Sequence, residues 1–189
     1  MCLIPAIRGI SNLDAIHTAE VFGQSFSLLG VILLIPITER ELNPCIREII
    51  CTKSWSYEKS ILIRLICCLL MITVLTMIFA LGMRKNNCSF PFGEFIFAMV
   101  LYAVFLGLLG LVFSQLGNNS IAGYFVSLGY WSLCQFDILT EESSGYMFPV
   151  IGGVVDGGRT LILAGMNILL FVVWWVIVNR QDRRMWYFG

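Results

Sequence analysis

Five stretches of this chain are apolar for long enough to cross a membrane as helices, at roughly residues 20–37, 61–83, 94–114, 119–136 and 160–178. Crossing about 30 Å of hydrocarbon takes about 20 helical residues. A backbone in lipid must satisfy its own hydrogen bonds, which leaves helices or a closed barrel as the spanning forms. Barrel strands are about ten residues long and alternate apolar with polar residues, and no such alternation is present. The expected fold is therefore an all-α membrane protein, one transmembrane domain over residues 1–189 with five spans. Composition agrees: 58% hydrophobic and 13% charged residues contrast with about 45–50% and 25% in soluble domains.

The N-terminus MCLIPAIRGISNLDAIHTAE has no charged n-region leading into an apolar core and a small-residue cleavage site. The expectation is that no signal peptide is removed and that the first span directs insertion. Seven cysteines, without a CxxC pair and with His17 as the one histidine, argue against a disulfide framework or a zinc site. Cys67 and Cys68 fall in mid-span, where thiols serve as small apolar packing groups.

The positions of the charges set an orientation. Arg40, Arg47, Lys53, Lys59 and Arg64 cluster around the first connector, and Arg180, Arg183 and Arg184 follow the last span. If these regions are cytoplasmic, eight basic residues lie inside and four (Arg8, Arg84, Lys85 and Arg159) outside, the distribution that the positive-inside bias prefers. This reading places the N-terminus outside and the C-terminus in the cytoplasm.

Span 1, EVFGQSFSLLGVILLIPIT, carries Gly23, Gln24, Ser25, Ser27 and Gly30 in its outer half. Small and weakly polar residues let helices approach closely in lipid, so this face is expected to meet protein. In the connector that follows, Asn43 suits an N-cap and Pro44 a first helical position. Leu42, Cys45, Ile46, Ile49 and Ile50 recur at helical spacing. The pattern predicts an amphipathic helix at about 44–52, with Arg47 and Glu48 on its other face, Glu41 before it and Lys53 after it. Such a helix either lies on the membrane surface or offers its apolar stripe to a groove on a soluble partner.

Farther along, Asn87-Cys88-Ser89 fits a glycosylation sequon, and Glu94 is expected at the interface or toward protein because lipid would penalise it. The segment DILTEESSGYMFPVIGGVVDGGR is acidic and Gly-rich around an apolar centre too short to cross. Dipping into the outer leaflet would require protein or water to satisfy its backbone. The connector QLGNN reads as a tight turn in which Gly117 takes positive φ and an Asn caps the next helix. Ser120, Gly123 and Ser127 then form a small-residue seam on span 4 for close approach of another helix. Tyr124 and Tyr130 flank the seam and, with Gln24 and Ser27, are candidates to line a substrate path.

Several chemistries lack their residues. There is no GxxxxGK[ST] loop for ATP, no HExxH, and any Ser–His nucleophile would depend on His17. Glu20, Glu94 and Asp137 all fall at span ends, so no intramembrane carboxylate chain marks a proton-driven carrier. A self-contained enzyme or pump is not expected.

The order of a span ending in TERE, a short helix CIREII and TKSWSYEKSILIR leading into the next span resembles the membrane subunits of ABC type 2 exporters. The resemblance runs over about residues 20–178, through NNSIAGYFVSLGYW and the Gly-rich segment. Glu41 and Glu48 fall on the family's acidic positions, whereas Cys45 stands where the family usually has Gly and Lys53 where it usually has Pro. The family usually has six spans with both termini cytoplasmic. The five here correspond to the last five, which places residues 1–19 outside and implies a reduced subunit or a lost start.

What the resemblance implies is a multi-pass permease subunit in the cell inner or plasma membrane. It would pair with a second permease chain and with membrane lipid, and bind a cytoplasmic ATPase dimer that carries ATP and magnesium. No cofactor in this chain and no nucleic-acid partner are expected. Glu41, Cys45, Ile46, Arg47, Glu48, Ile49, Ile50 and Lys53 would form the ATPase-coupling contact, and the cargo would be hydrophobic or amphipathic: a lipid, a drug or an antimicrobial peptide. The alternative is a noncatalytic membrane accessory or immunity protein.

Overall fold

A computed structural model describes residues 26–37, 57–85, 91–136, 148, 150–151 and 154–186. The first described helix, α1 (Ser27–Leu34), tightens into a 3-10 turn over Ile35–Ile37. Pro36 has no N–H to continue the α-helical ladder, so the chain closes the helix with a shorter turn there. α2 spans Tyr57–Lys85 and ends in Arg84 and Lys85, cations that favour the negative end of the helix dipole. Within it the hydroxyls of Thr73 and Thr76 donate to the carbonyls of Leu69 and Ile72, at 2.9 and 2.8 Å. Neither hydroxyl is left bare in an apolar surrounding.

α3 spans Phe92–Leu116. Pro91 precedes it in extended conformation, and exposed Glu94 sits in its first turn, where a carboxylate complements the unpaired N–H groups. α4 spans Ser120–Gln135, and the turn before it differs from expectation. Gly117 has φ −80°, and Asn118 takes the left-handed conformation with φ 47°, which Asn tolerates through its short polar side chain. Gly117 is needed for space instead: a Cβ there would stand 2.9 Å from Cβ of Ala122. Asn119 caps α4, its side-chain oxygen accepting from the Ile121 N–H at 3.0 Å.

Two short strands follow, β1 (Val150–Ile151) and β2 (Val154–Val155), paired antiparallel with Val150 opposite Val155. The last helix, α5, spans Gly157–Trp186. Asp156 starts it, with Oδ1 accepting from the Gly158 N–H at 2.9 Å and Oδ2 3.5 Å from Nε of Arg159.

α3 is the centre of the bundle and touches each of the other four helices. Of the most apolar stretch of α3, 72% is buried, against 22% for α2 and 28% for α5. The latter two show apolar flanks outward, among them Ile66, Leu70, Val74 and Ile78 on α2 and Leu161, Ile168 and Val172 on α5. An outside this apolar is what lipid requires and water forbids.

The contacts give each helix a direction. α1 runs parallel to α3, with Gly30 against Ala103 and Ile35 against Gly110. α4 runs antiparallel to α3, with Gly123 against Gly110 and Ser127 bonded to Leu106. α5 runs parallel to α3, with Val155 just before it packed on the cluster around Phe95 and Asn167 bonded to Leu101. α2 runs antiparallel to α1, with the tilted rings of Phe79 and Phe26 4.1 Å apart and Cys68 reaching Leu33. The bundle thus has a turn end, where α3 passes into α4 and where α1 stops and α2 begins, and a hairpin end, where α2 stops and α3 and α5 begin.

A large buried cluster including Leu34, Ile61, Leu106, Leu111, Leu163 and Trp174 fills the turn end and the middle. A second, with Phe26, Ala80, Met83, Phe95, Met99 and Val150, fills the hairpin end. Phe148 packs on both, its ring 5.2 Å from Tyr102 and edge-on to it.

The described part of the chain is thus mostly helical, as in a membrane protein. Among the described residues three helices are long and apolar enough to cross: Lys59–Lys85, Phe92–Leu116 and Gly157–Asn179. α4 has 16 residues and a length of about 24 Å, and the apolar helix Ser27–Ile37 is shorter still.

Candidate functional site

The closest helix packing among the described residues is at the junction of α1, α3 and α4, and it is built on glycine. A Cβ on Gly30 would collide with the main-chain carbonyl of Ala103. One on Gly107 would meet the side chain of Leu34 and stand 2.6 Å from the Gly30 carbonyl oxygen. On the neighbouring face, a Cβ on Gly110 would stand 2.6 Å from the Ser127 hydroxyl, and one on Gly123 would run into the Gly110 carbonyl. Small residues draw these backbones together and maximise dispersion contact where lipid supplies no hydrophobic drive.

The seam residues Ser120, Gly123 and Ser127 are all buried. The helix that Gly123 and Ser127 meet is α3 of the same chain, and the Ser127 hydroxyl donates to the Leu106 carbonyl at 2.9 Å. Ser27 is buried at 2% exposure. Tyr124 and Tyr130 are half-buried and pack on the large cluster, Tyr130 edge-on to Phe105 at 5.5 Å. These candidate path residues are spread along packed helix faces. Gln24 and the coupling residues Glu41, Cys45, Ile46, Arg47, Glu48, Ile49, Ile50 and Lys53, with the predicted helix at about 44–52, lie outside the described residues, as does the sequon at Asn87.

Two interior polar groups were not singled out from the sequence. Asn167 of α5 donates from Nδ2 to the carbonyls of Leu101 and Leu163, both at 3.1 Å, and so ties α5 to α3. Its signal was available: an Asn in the middle of an apolar span must face protein. Cys134, buried near the end of α4, lies within hydrogen-bonding reach of the Tyr130 and Tyr102 side chains. Gly107 and Gly110 also went unremarked, although a three-residue glycine spacing inside an apolar span is itself a packing signal.

Cys68 is half-buried with its Sγ 3.5 Å from the Leu33 carbonyl, whereas Cys67 faces outward. Ser114 Oγ, Gln115 Oε1, Ser120 Oγ, Asn167 Oδ1 and Trp174 Nε1 are buried without a hydrogen-bond partner among the described residues.

No group of three His, Cys, Asp or Glu side chains that could hold a metal ion occurs among the described residues. Close backbone contacts join α1 to α3 and α3 to α4. No known protein family, curated protein or solved structure matches this chain.

Proposed function

We propose that this chain is a five-span permease subunit of an ATP-driven exporter, paired with a second permease chain and driven by a separate cytoplasmic ATPase that supplies ATP and magnesium. The supporting observation is the way α1 and α2 bracket the connector at residues 38–56. α1 stops and α2 starts at the turn end, and both pack on α3. Force applied to that connector would pass along α1, and the contacts of Gly30 and Gly107 would carry it into the centre of the bundle.

In this mechanism an ATPase dimer closes on ATP and presses on residues 44–52. Ile46, Ile49 and Ile50 seat in a groove of the ATPase, and Glu41, Arg47, Glu48 and Lys53 set the register by charge. α1 and α2 then tilt together and open a path between two permease chains for a hydrophobic or amphipathic cargo. The turn end faces the cytoplasm, in keeping with the positive-inside bias.

Purification in mild detergent followed by ATP hydrolysis measurements tests this. Ile46→Asp with Ile49→Asp is expected to abolish transporter-stimulated hydrolysis while the chain stays in the membrane; unchanged hydrolysis would overturn the reading. Consistent absence of a copurifying ATPase would favour a noncatalytic accessory protein.

A further inference from the structure

α3 is buried along most of its length, but one strip of it comes to the surface. Residues three and four apart share a helix face, and along Gly93, Phe97, Val100, Val104, Leu108 and Leu111 burial deepens step by step. Gly93 is open, Phe97 is 60% exposed, Val100 and Val104 are half-buried, and Leu108 and Leu111 are 4% and 0% exposed. α1 covers the strip of Ala103, Gly107 and Gly110, and α4 that of Leu106, Gly110 and Ser114. The remaining flanks belong to α2 and α5, which both pack on α3 and touch each other little. At Leu108 and Leu111 these two helices close over α3, in a cluster with Ile61 and Leu65 of α2 and Trp174 and Val178 of α5. Toward the hairpin end they leave a groove with Phe97 on its floor.

The groove has the depth of one leaflet. From Gly93 to Val104 α3 rises about 16 Å, against about 15 Å for half of the hydrocarbon. Its mouth carries charge of both signs. α2 ends there in Arg84 and Lys85, with the Arg84 guanidinium 5.5 Å from the centre of the Phe92 ring. Glu94 stands one turn above Phe97 on α3. Arg84, Lys85 and Glu94 are exposed, and none has an ion-pair partner among the described residues. Asp156 and Arg159, at the start of α5, are paired with each other.

An occupant must match an apolar slot and, at its top, two cations and a carboxylate. We propose that the groove binds a phospholipid with a zwitterionic, primary-amine headgroup. One acyl chain lies on Phe97, Val100 and Val104. Arg84 and Lys85 hold the phosphate, and Glu94 accepts hydrogen bonds from the ammonium. A quaternary amine has no N–H to give Glu94, and an anionic headgroup has no cation for it. The site requires no ATPase and no cargo, so it stands or falls independently of the exporter reading.

For the test, the full chain is delipidated in mild detergent and offered phosphatidylethanolamine, phosphatidylcholine or phosphatidylglycerol with identical acyl chains. Bound lipid is counted by native mass spectrometry. The expected result is retention of phosphatidylethanolamine at least about fivefold above either of the others, the worth of one well-placed charge pair at an exposed site. Glu94→Gln should bring it down to the level of phosphatidylcholine, and Arg84→Gln with Lys85→Gln should weaken all three lipids. Val100→Trp should fill the slot and remove the bound lipid, whereas Gly165→Trp, with nothing within 4 Å of a Cβ on α5, should not.

Equal retention of the three lipids would mean an unselective lipid boundary and would overturn the proposal. So would a preference for phosphatidylglycerol, which would mean that the cations alone choose the headgroup. A preference for phosphatidylethanolamine that survives Glu94→Gln would also overturn it. Glu94 is exposed, so its substitution spares the fold and decides the matter even where Val100→Trp does not fold.

Discussion

Gly30 of α1 rests directly against the main-chain carbonyl of Ala103 on α3, with no space for a methyl group between them. The three atoms nearest to a Cβ at Gly30 are all backbone of Ala103, so no rotamer change can relieve the added carbon and the helices must separate. In the exporter mechanism proposed above, this contact is where force from the first connector would enter the core.

Gly30→Ala is accordingly expected to cost about 1–3 kcal/mol, the usual penalty for overfilling a packed interior. Gly165→Ala is the control, since nothing lies within 4 Å of a Cβ there. Helix propensity alone then makes the change neutral or stabilising by up to about 1 kcal/mol. Thermal unfolding in detergent, followed by circular dichroism, should separate the two in opposite directions.

Ser127→Ala removes the hydroxyl that donates to the Leu106 carbonyl, a type of bond worth about 0.6 to 2 kcal/mol between membrane helices. Ser127→Val keeps the approximate size but adds a branched methyl beside Gly110, where even the native hydroxyl would leave a Cβ only 2.6 Å. The Val variant should therefore unfold at a lower temperature than the Ala variant. Neither variant can donate to Leu106, so the reverse order would mean that the space beside Gly110 accepts a branched side chain and that close approach does not limit this contact.

At Asn167 the two donor contacts and the unpartnered Oδ1 act in opposite directions. Asn167→Leu loses the bonds to Leu101 and Leu163 but also removes the buried acceptor, so a loss of about 1 kcal/mol is expected. Asn167→Asp turns acceptor oxygens toward two carbonyls and should be much worse, by several kcal/mol if the carboxylate stays ionised. Unfolding midpoints of the two variants measured side by side would check the order.

How much of this was legible in the sequence follows from what lipid imposes and what it leaves free. The long apolar runs around α2, α3 and α5 were readable because a bilayer demands length and apolarity in one stretch. The central place of α3 was not, because a helix apolar on every side gives no periodicity from which to read its buried face; only Gly107 and Gly110 hinted at it. The turn before α4 was recognised, yet the strained position went to Asn118, because Gly117 is consumed by contact with Ala122. The Gly-rich segment could be read as too short to cross, but its pairing of Val150 with Val155 depends on the face of α3 that receives it. Residues 38–56, the most informative segment for function, carry their argument in the sequence alone.

That hairpin offers the last comparison, between two valines of one ladder. Val150 is 4% exposed among Phe26, Ala80, Met83, Phe95 and Met99, whereas Val154 is 69% exposed. Two residue pairs of β-ladder are too few to stand alone, so the strands stay folded because Val150 is held by the helices. Val150→Asp would place a carboxylate in a pocket whose buried members are all apolar, at a cost of several kcal/mol, more than so short a ladder can offset. The expected outcome is detachment of the strands, read as loss of hydrogen-exchange protection at Val150, Ile151, Val154 and Val155, with α1, α3 and α4 still protected. Val154→Asp, made in the same ladder with the same charge, should leave that protection within error. Equal loss in both variants would show that the added charge, and not the burial of Val150, governs how the hairpin holds to the bundle.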